Sequence, residues 1–152
     1  MREFTFQTLD DPVTIEGNPH TYHSYNTKRN RLFNEQFVTY KRTRNDKDWQ
    51  VGEIVNITLS PVAKPHIQLG VAKIISIDKK STNHYMYTET TDLSGEELRY
   101  EGFDNFQNWN FMHKFFKDSR HDVKTFNKIT LQWITWNTNM IKIALDSGNF
   151  RL

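Results

Sequence analysis

The longest β-rich segment of this chain spans residues 66–77 and has a strong two-residue periodicity. The residues of one parity are almost all apolar: Ile67, Leu69, Val71, Lys73, Ile75 and Ile77. Because neighbouring side chains of a strand point to opposite faces of a sheet, this pattern predicts a long strand with one apolar face. Gly70 lies inside the segment and predicts a β-bulge or a bend at the corner of a barrel.

Further strands are predicted near residues 37–43, 52–59 and 128–136 from their β-forming composition. Weak alternation at Phe4 and Phe6 predicts a strand followed by a turn at the N-terminal end. The chain therefore carries the strands of a small sheet.

Two helical segments interrupt these strands. The first is predicted over 94–101, where Ser94 is an N-cap candidate and Glu97 stands at the capping-box position. The second is predicted over 105–118 from the helical spacing of Phe106, Trp109, Met112, Phe115 and Phe116. The predicted fold is α+β: a mixed, strongly curved sheet or open β-barrel of five or six strands with two or three flanking helices.

The length of 152 residues predicts a single domain over 1–152, with a core at about 33–136, an N-terminal arm and a C-terminal tail. The apolar spacing after Thr138 would let a helix or strand of the tail dock on the domain. Cysteine is absent, which excludes disulfides, thiolate metal sites and a cysteine nucleophile. No apolar run has the length of a membrane span, so we expect a cytoplasmic protein without a membrane partner. His20 and His23 lack a third ligand nearby, so neither a metal site nor a cofactor is expected.

Basic residues concentrate in two segments. Between Thr27 and Asp48, seven basic residues stand against three acidic ones. A second cluster is interrupted only by Asp118 and Asp122, and it consists of Lys114, Lys117, Arg120, Lys124 and Lys128. Such clusters can serve as electrostatic footprints for phosphates, and the alternative is an ordinary solvated face.

Three short motifs follow one another along the chain: Gly52-Glu53-Ile54-Val55, then residues 70–77, then Glu101-Gly102-Phe103 after the first predicted helix. This order resembles that of the ASCH family, a branch of the PUA-like β-barrels associated with RNA. The resemblance covers roughly residues 33–136 and implies a protein that binds RNA or a nucleotide.

Some ASCH proteins are acetylcytidine amidohydrolases, and the resemblance would then imply a Lys-x-x-Thr-x-Arg strand and a catalytic glutamate. Glu101 occupies the glutamate position. If Arg42 is the motif arginine, Tyr40 stands at the threonine and Phe37 at the lysine, so the nucleophile motif is broken. The remaining candidates lie close by in the same strand: Thr39, Lys41 and Thr43.

The favoured function is binding of RNA or a nucleotide by a basic strand and an aromatic-lined cleft, with cations on phosphate and a ring stacked on a base. The predicted ligand-binding residues are Thr39, Tyr40, Lys41, Arg42, Arg44 and Trp109. Core packing is the alternative role for Tyr40 and Trp109. Strand alternation is predicted to send Arg42 and Arg44 to one face and Lys41 to the other.

Two other classes of function stay open. One is a divergent ASCH enzyme, either a nucleoside amidohydrolase or a ribonuclease, with Glu101 as its catalytic carboxylate. The other is a protein–protein adaptor that uses the N-terminal arm and the C-terminal tail as its interface. The sequence leaves open the ligand, the oligomeric state and whether the origin is cellular or phage.

Overall fold

The computed structural model describes residues 1–7, 31–60, 66–85, 88–100 and 122–147 of the chain. These residues form, in chain order, β1 (Arg2–Gln7), β2 (Gln36–Arg42), β3 (Ile54–Ser60), β4 (Ile67–Tyr85), β5 (Thr88–Thr91), α1 (Gly95–Tyr100), β6 (Asp122–Trp136) and α2 (Thr138–Ser147). All the strands belong to one mixed sheet in the order β1-β3-β4-β6-β2, with β5 paired to β4. The ladder between β1 and β3 is parallel, and the other ladders are antiparallel.

The predicted α+β fold, a PUA-like barrel or curved sheet with two or three flanking helices, is wrong for this structure. The described residues are mostly sheet, and their two helices have only six and ten residues. The sheet is open, because within the described ranges no ladder joins its edge strands β1 and β2. The predicted helix over 105–118 lies outside the described residues.

The strands β4 and β6 are longer than their sequence patterns predicted, with 19 and 15 residues. Their added halves are polar and lack apolar alternation, so no local signal marks them as strands. They are strands because each supplies the other with backbone partners, from Asp78 opposite Lys128 to His84 opposite Asp122. This long antiparallel pair is the centre of the sheet.

The predicted single apolar face of β4 is also wrong, because bulges change which residues face the core. Ile74 of β4 pairs with Leu131 of β6, and Ser76 pairs with the adjacent residue Thr130. Ile75 is therefore an extra residue on β4, which defines a β-bulge. The register also shifts on both sides of Gly70. The core therefore receives Ile67, Leu69, Ala72, Ile74 and Ile77, whereas Lys73 is exposed.

Gly70 confirms the predicted bulge position. A Cβ atom at this residue would lie 2.1 Å from the carbonyl oxygen of Thr135 and 3.0 Å from the ring of Trp133. Only glycine permits β4 and β6 to approach this closely.

The core consists of aromatic and branched aliphatic side chains. Most come from the strands of the sheet, and Leu32, Trp49 and Ile141 add to them from outside the strands. Phe4 packs against Phe6 and Trp49, and Phe37 packs against Phe6 and Trp133, at ring-centroid distances of 4.8–5.9 Å. The predicted N-terminal strand is confirmed as β1, and the tail forms α2, whose Ile141 is fully buried in this core.

Candidate functional site

A second, smaller buried cluster lies apart from the main core, on the other face of β2 and β6. Its members are Tyr40, Leu93, Leu98 and Phe126. The ring of Tyr40 meets Phe126 edge to face at a centroid distance of 5.9 Å. Leu98 belongs to α1 and Leu93 precedes it, so α1 covers this part of the sheet.

Four cations surround Phe126 on this face. Arg42 and Lys80 lie opposite Phe126 on the two neighbouring strands, β2 and β4. Lys124 and Lys128 lie two residues to either side of it on β6. Because side chains alternate along a strand, all four share one face with Phe126. Lys124 and Lys128 each lie about 7 Å from Phe126 along β6, and Arg42 and Lys80 each lie about 5 Å from it on the neighbouring strands. We refer to Arg42, Lys80, Lys124 and Lys128 as the basic face.

Glu97 of α1 contacts two of the four cations of the basic face. Its Oε2 atom lies 2.8 Å from Nζ of Lys128 and accepts a hydrogen bond of 3.4 Å from the Tyr40 hydroxyl. Its Oε1 atom lies 3.3 Å from Nζ of Lys80. Only 11% of the Glu97 side chain is exposed, so these contacts are largely shielded from water.

The predicted capping box fixes Glu97 locally. The backbone N–H of Ser94 donates to Oε1 of Glu97 at 2.9 Å, and the backbone N–H of Glu97 donates to Oγ of Ser94 at 3.1 Å. This reciprocal pair satisfies two donors at the start of α1 and aims the carboxylate at the sheet.

The pKa of Glu97 follows from these contacts. Burial raises the pKa, but hydrogen bonds from Lys128, the Ser94 N–H and Lys80 outweigh it and lower the pKa to about 2. A carboxylate with so low a pKa stays ionised near neutral pH. Glu97 therefore suits an ion-pair role and not that of a general acid or base.

The predicted binding residues of β2 divide between the two faces. Lys41 points to the core side, as alternation predicted: its Nζ lies 4.9 Å from the ring centroid of Phe4 and donates to the carbonyl of Thr5. Thr39 shares that parity and is buried. Arg42 has the opposite parity and is exposed on the basic face.

Arg44 does not share a strand face with Arg42, contrary to the prediction, because β2 ends at Arg42. Arg44 lies in the following loop, where its guanidinium contacts Asp46 at 2.7 Å. The hydrogen bond from Arg44 lowers the pKa of Asp46. The Arg44 guanidinium also lies 5.6 Å from the ring of Trp49, while Arg2 lies 4.3 Å from the same ring.

The structure does not place Lys41 beside Thr39 or Thr43 through a bulge in β2, so the lysine–threonine pair of the nucleophile motif is not rebuilt there. The β2–β6 ladder runs from Gln36 to Arg42 without a register shift, so no bulge moves Lys41 along the strand. The hydroxyl of Thr43 lies 3.2 Å from that of Thr125 on β6.

The remaining predicted site residues behave differently. Tyr40 is only 8% exposed, so its ring packs in the small buried cluster and only its hydroxyl reaches the basic face. Glu101, the predicted catalytic carboxylate, and Trp109, the predicted stacking ring, lie outside the described residues.

Sequence reasoning missed Lys80 and the role of Glu97. Lys124 and Lys128 were recognised as part of a basic cluster, but their relation to Arg42 depends on the pairing of β6 with β2. The Glu97 capping box was a local signal that a charged side chain would be held rigidly at the start of α1. Nothing in the sequence indicated which cations it would meet.

The described part of the chain thus defines an open, mixed six-stranded sheet protein with a basic face that is neutralised in part by one glutamate. Comparison with protein-family models, curated proteins and solved structures finds no significant match to this chain. Among the described residues, neither helix has the length and apolar character needed to cross a membrane. The same residues contain no group of three or more potential metal ligands among His, Cys, Asp and Glu.

Proposed function

We propose that this protein binds single-stranded RNA or a nucleotide through the phosphates of the ligand, which lie on the basic face. The observation that carries the proposal is the convergence of Arg42, Lys80, Lys124 and Lys128 around Phe126 on three neighbouring strands. Cations at such spacing neutralise phosphates, and the release of counterions from the nucleic acid then favours binding.

The arrangement supports phosphate contacts more than base stacking. Tyr40 is buried, and its ring is covered by its packing on Phe126. Among the residues whose side chains the structure describes, the basic face thus offers charge without an exposed aromatic ring beside it. We therefore expect little preference for base sequence, because phosphate contacts position a ligand without reading its bases.

Two related expectations stay predictions. Membership of the ASCH family rests on the short motifs at residues 52–55, 70–77 and 101–103. A cytoplasmic location fits an RNA ligand.

The test compares two exposed arginines that lie two residues apart. Arg42→Ala removes a cation from the basic face, whereas Arg44→Ala removes one from the loop that follows β2, away from that face. Binding of a fluorescent single-stranded oligoribonucleotide is measured by anisotropy over a series of salt concentrations. We expect Arg42→Ala, and Lys124→Ala likewise, to weaken binding and to reduce the slope of log K against log salt by about 0.7 each. Arg44→Ala should leave the slope unchanged.

Two outcomes would contradict the proposal. If Arg44→Ala weakens binding as much as Arg42→Ala, the loop after β2 binds the ligand and the basic face does not. If the wild-type protein binds neither the oligoribonucleotide nor a mononucleotide, the proposal fails altogether. Competition by the mononucleotide at concentrations near its own binding constant separates a nucleotide site from an extended RNA site.

A further inference from the structure

Glu97, an acidic residue of the protein itself, already forms ion pairs with two lysines of the basic face, Lys80 and Lys128. Glu97 contacts Lys128 at 2.8 Å and Lys80 at 3.3 Å, and the Tyr40 hydroxyl donates to the same carboxylate at 3.4 Å. Two ammonium groups and one hydroxyl directed at a single anion also form a suitable donor set for phosphate oxygens. A phosphate on these donors and the Glu97 carboxylate exclude each other.

We infer that α1 is an autoinhibitory latch, in which Glu97 holds Lys80 and Lys128 until the phosphates of a nucleic acid displace it. The inference rests on the proposed function and specifies how the same face is regulated. Release of Glu97 then adds Lys80 and Lys128 to the contact surface.

The charge balance at the latch favours an exchange of anions. One carboxylate faces two ammonium groups, so the trio keeps one net positive charge. Two phosphodiesters of a single strand would neutralise both lysines. Each phosphate also brings the release of condensed counterions, which the exchange with Glu97 alone does not supply.

The helix that carries Glu97 is short enough to be displaced. α1 has six residues, and an isolated helix of that length is not stable in water. It is held by the Ser94 capping box, by the buried side chains of Leu93 and Leu98, and by the Glu97 ion pairs. Loss of the ion pairs removes one of these sets of contacts.

The first test compares Glu97→Gln with Glu96→Gln. Both variants remove one negative charge from the same helix, but Glu96 is exposed. We expect Glu97→Gln to bind the oligoribonucleotide at least severalfold more tightly than Glu96→Gln does, because binding no longer has to break the Glu97 ion pairs. The salt slope of Glu97→Gln should stay close to that of the wild type, because Lys80 and Lys128 contact phosphates in both bound states. Glu96→Gln should leave the salt slope at the wild-type value.

An affinity of Glu97→Gln that is equal to or lower than that of Glu96→Gln would overturn the latch. Weaker binding would mean that Glu97 positions the lysines for the ligand. If wild-type protein binds and Glu97→Gln does not exceed the control, the latch fails and the proposed function stands. If only Glu97→Gln binds, phosphates do not displace Glu97 in the wild-type protein, and the latch fails together with the proposed function. If no variant binds, both fail.

The second test uses the wild-type protein and does not depend on the folding of a variant. The backbone N–H of Leu98 donates to the carbonyl of Ser94 at 3.0 Å, so its hydrogen exchange reports on α1. Saturating oligoribonucleotide should speed this exchange at least severalfold if Glu97 is released. Exchange that stays constant or slows in the presence of ligand would overturn the latch.

Discussion

Lys41 of β2 donates a hydrogen bond from its ammonium group to the backbone carbonyl of Thr5 in β1. These strands are the two edges of the sheet and share no ladder within the described residues. The same ammonium lies 4.9 Å from the ring centroid of Phe4 and 5.4 Å from that of Phe6. One side chain therefore connects the two edges across an aromatic part of the core, which assigns Lys41 a structural role.

Replacement of Lys41 by methionine tests this role. Methionine keeps most of the volume but leaves the Thr5 carbonyl without its charged donor and removes the attraction to two rings. We expect a loss of about 2 kcal/mol in the free energy of unfolding, measured by urea denaturation. As a control, Lys79→Met removes an exposed ion pair to Asp48 and should cost less than about 1 kcal/mol. Equal stability of both variants would refute the edge contact.

Gly70 and Gly52 both have a positive φ, so their comparison isolates the additional cost of the close approach at Gly70. Gly70→Ala would place a methyl group against the Thr135 carbonyl, whereas at Gly52 nothing lies within 4 Å of the added Cβ. Gly52 has a φ of 89°, so Gly52→Ala should cost about 1–2 kcal/mol from conformation alone. Gly70→Ala should cost clearly more, about 3 kcal/mol or above, in the same denaturation experiment. A smaller loss for Gly70→Ala would show that β4 and β6 can separate at little cost.

The ion pairs of Glu97 should make stability depend on pH in the acid range. The folded protein holds the pKa of Glu97 at about 2, against an ordinary value of 4.5. The unfolded chain thus binds more protons between these values, so the contribution is complete above pH 4.5 and is lost as the pH falls towards 2. We expect about 2 kcal/mol of stability to depend on this group.

Unfolding free energies of wild type and Glu97→Gln over this acid range measure the contribution. The wild type should lose its advantage over Glu97→Gln as the pH falls, whereas Glu96→Gln should follow the wild-type curve. Parallel curves for wild type and Glu97→Gln would show that Glu97 has its ordinary pKa.

The capping box should control the local opening of α1. Ser94→Ala removes the acceptor of the Glu97 N–H and should weaken the helix by about 1 kcal/mol, which corresponds to about fivefold faster exchange of the Leu98 amide. Ser76→Ala, at an exposed position of β4, serves as the control and should leave that amide unchanged. Equal exchange in both variants would mean that packing alone holds α1 in place.

Local features of this protein follow directly from its sequence. The strands near 37–43 and 52–59 appear in the structure as β2 and β3, because their composition favours extended backbone. The Ser94–Glu97 capping box and the bulge at Gly70 were likewise predictable. The strands and the capping box depend on residues within a few positions of one another, so the chain carries the necessary information in its local order. At Gly70 the residue type alone marks the position, although the close approach itself is to Thr135 of β6.

Other features were decided only when distant strands paired. The bulge at Ile75 changes which residues of β4 face the core, so the alternation in the sequence no longer predicts them. The bulge arises from the register of β4 with β6. The same ladders made strands of the polar halves of β4 and β6. They also brought Arg42 and Lys80 to opposite sides of Phe126, and the packing of α1 placed Glu97 between Lys80 and Lys128. The physical reason is that alternation and capping act within one element, whereas the register of a ladder is set by the partner strand. In these ladders the paired residues are between 38 (His84 and Asp122) and 96 (Gln36 and Gln132) positions apart along the chain.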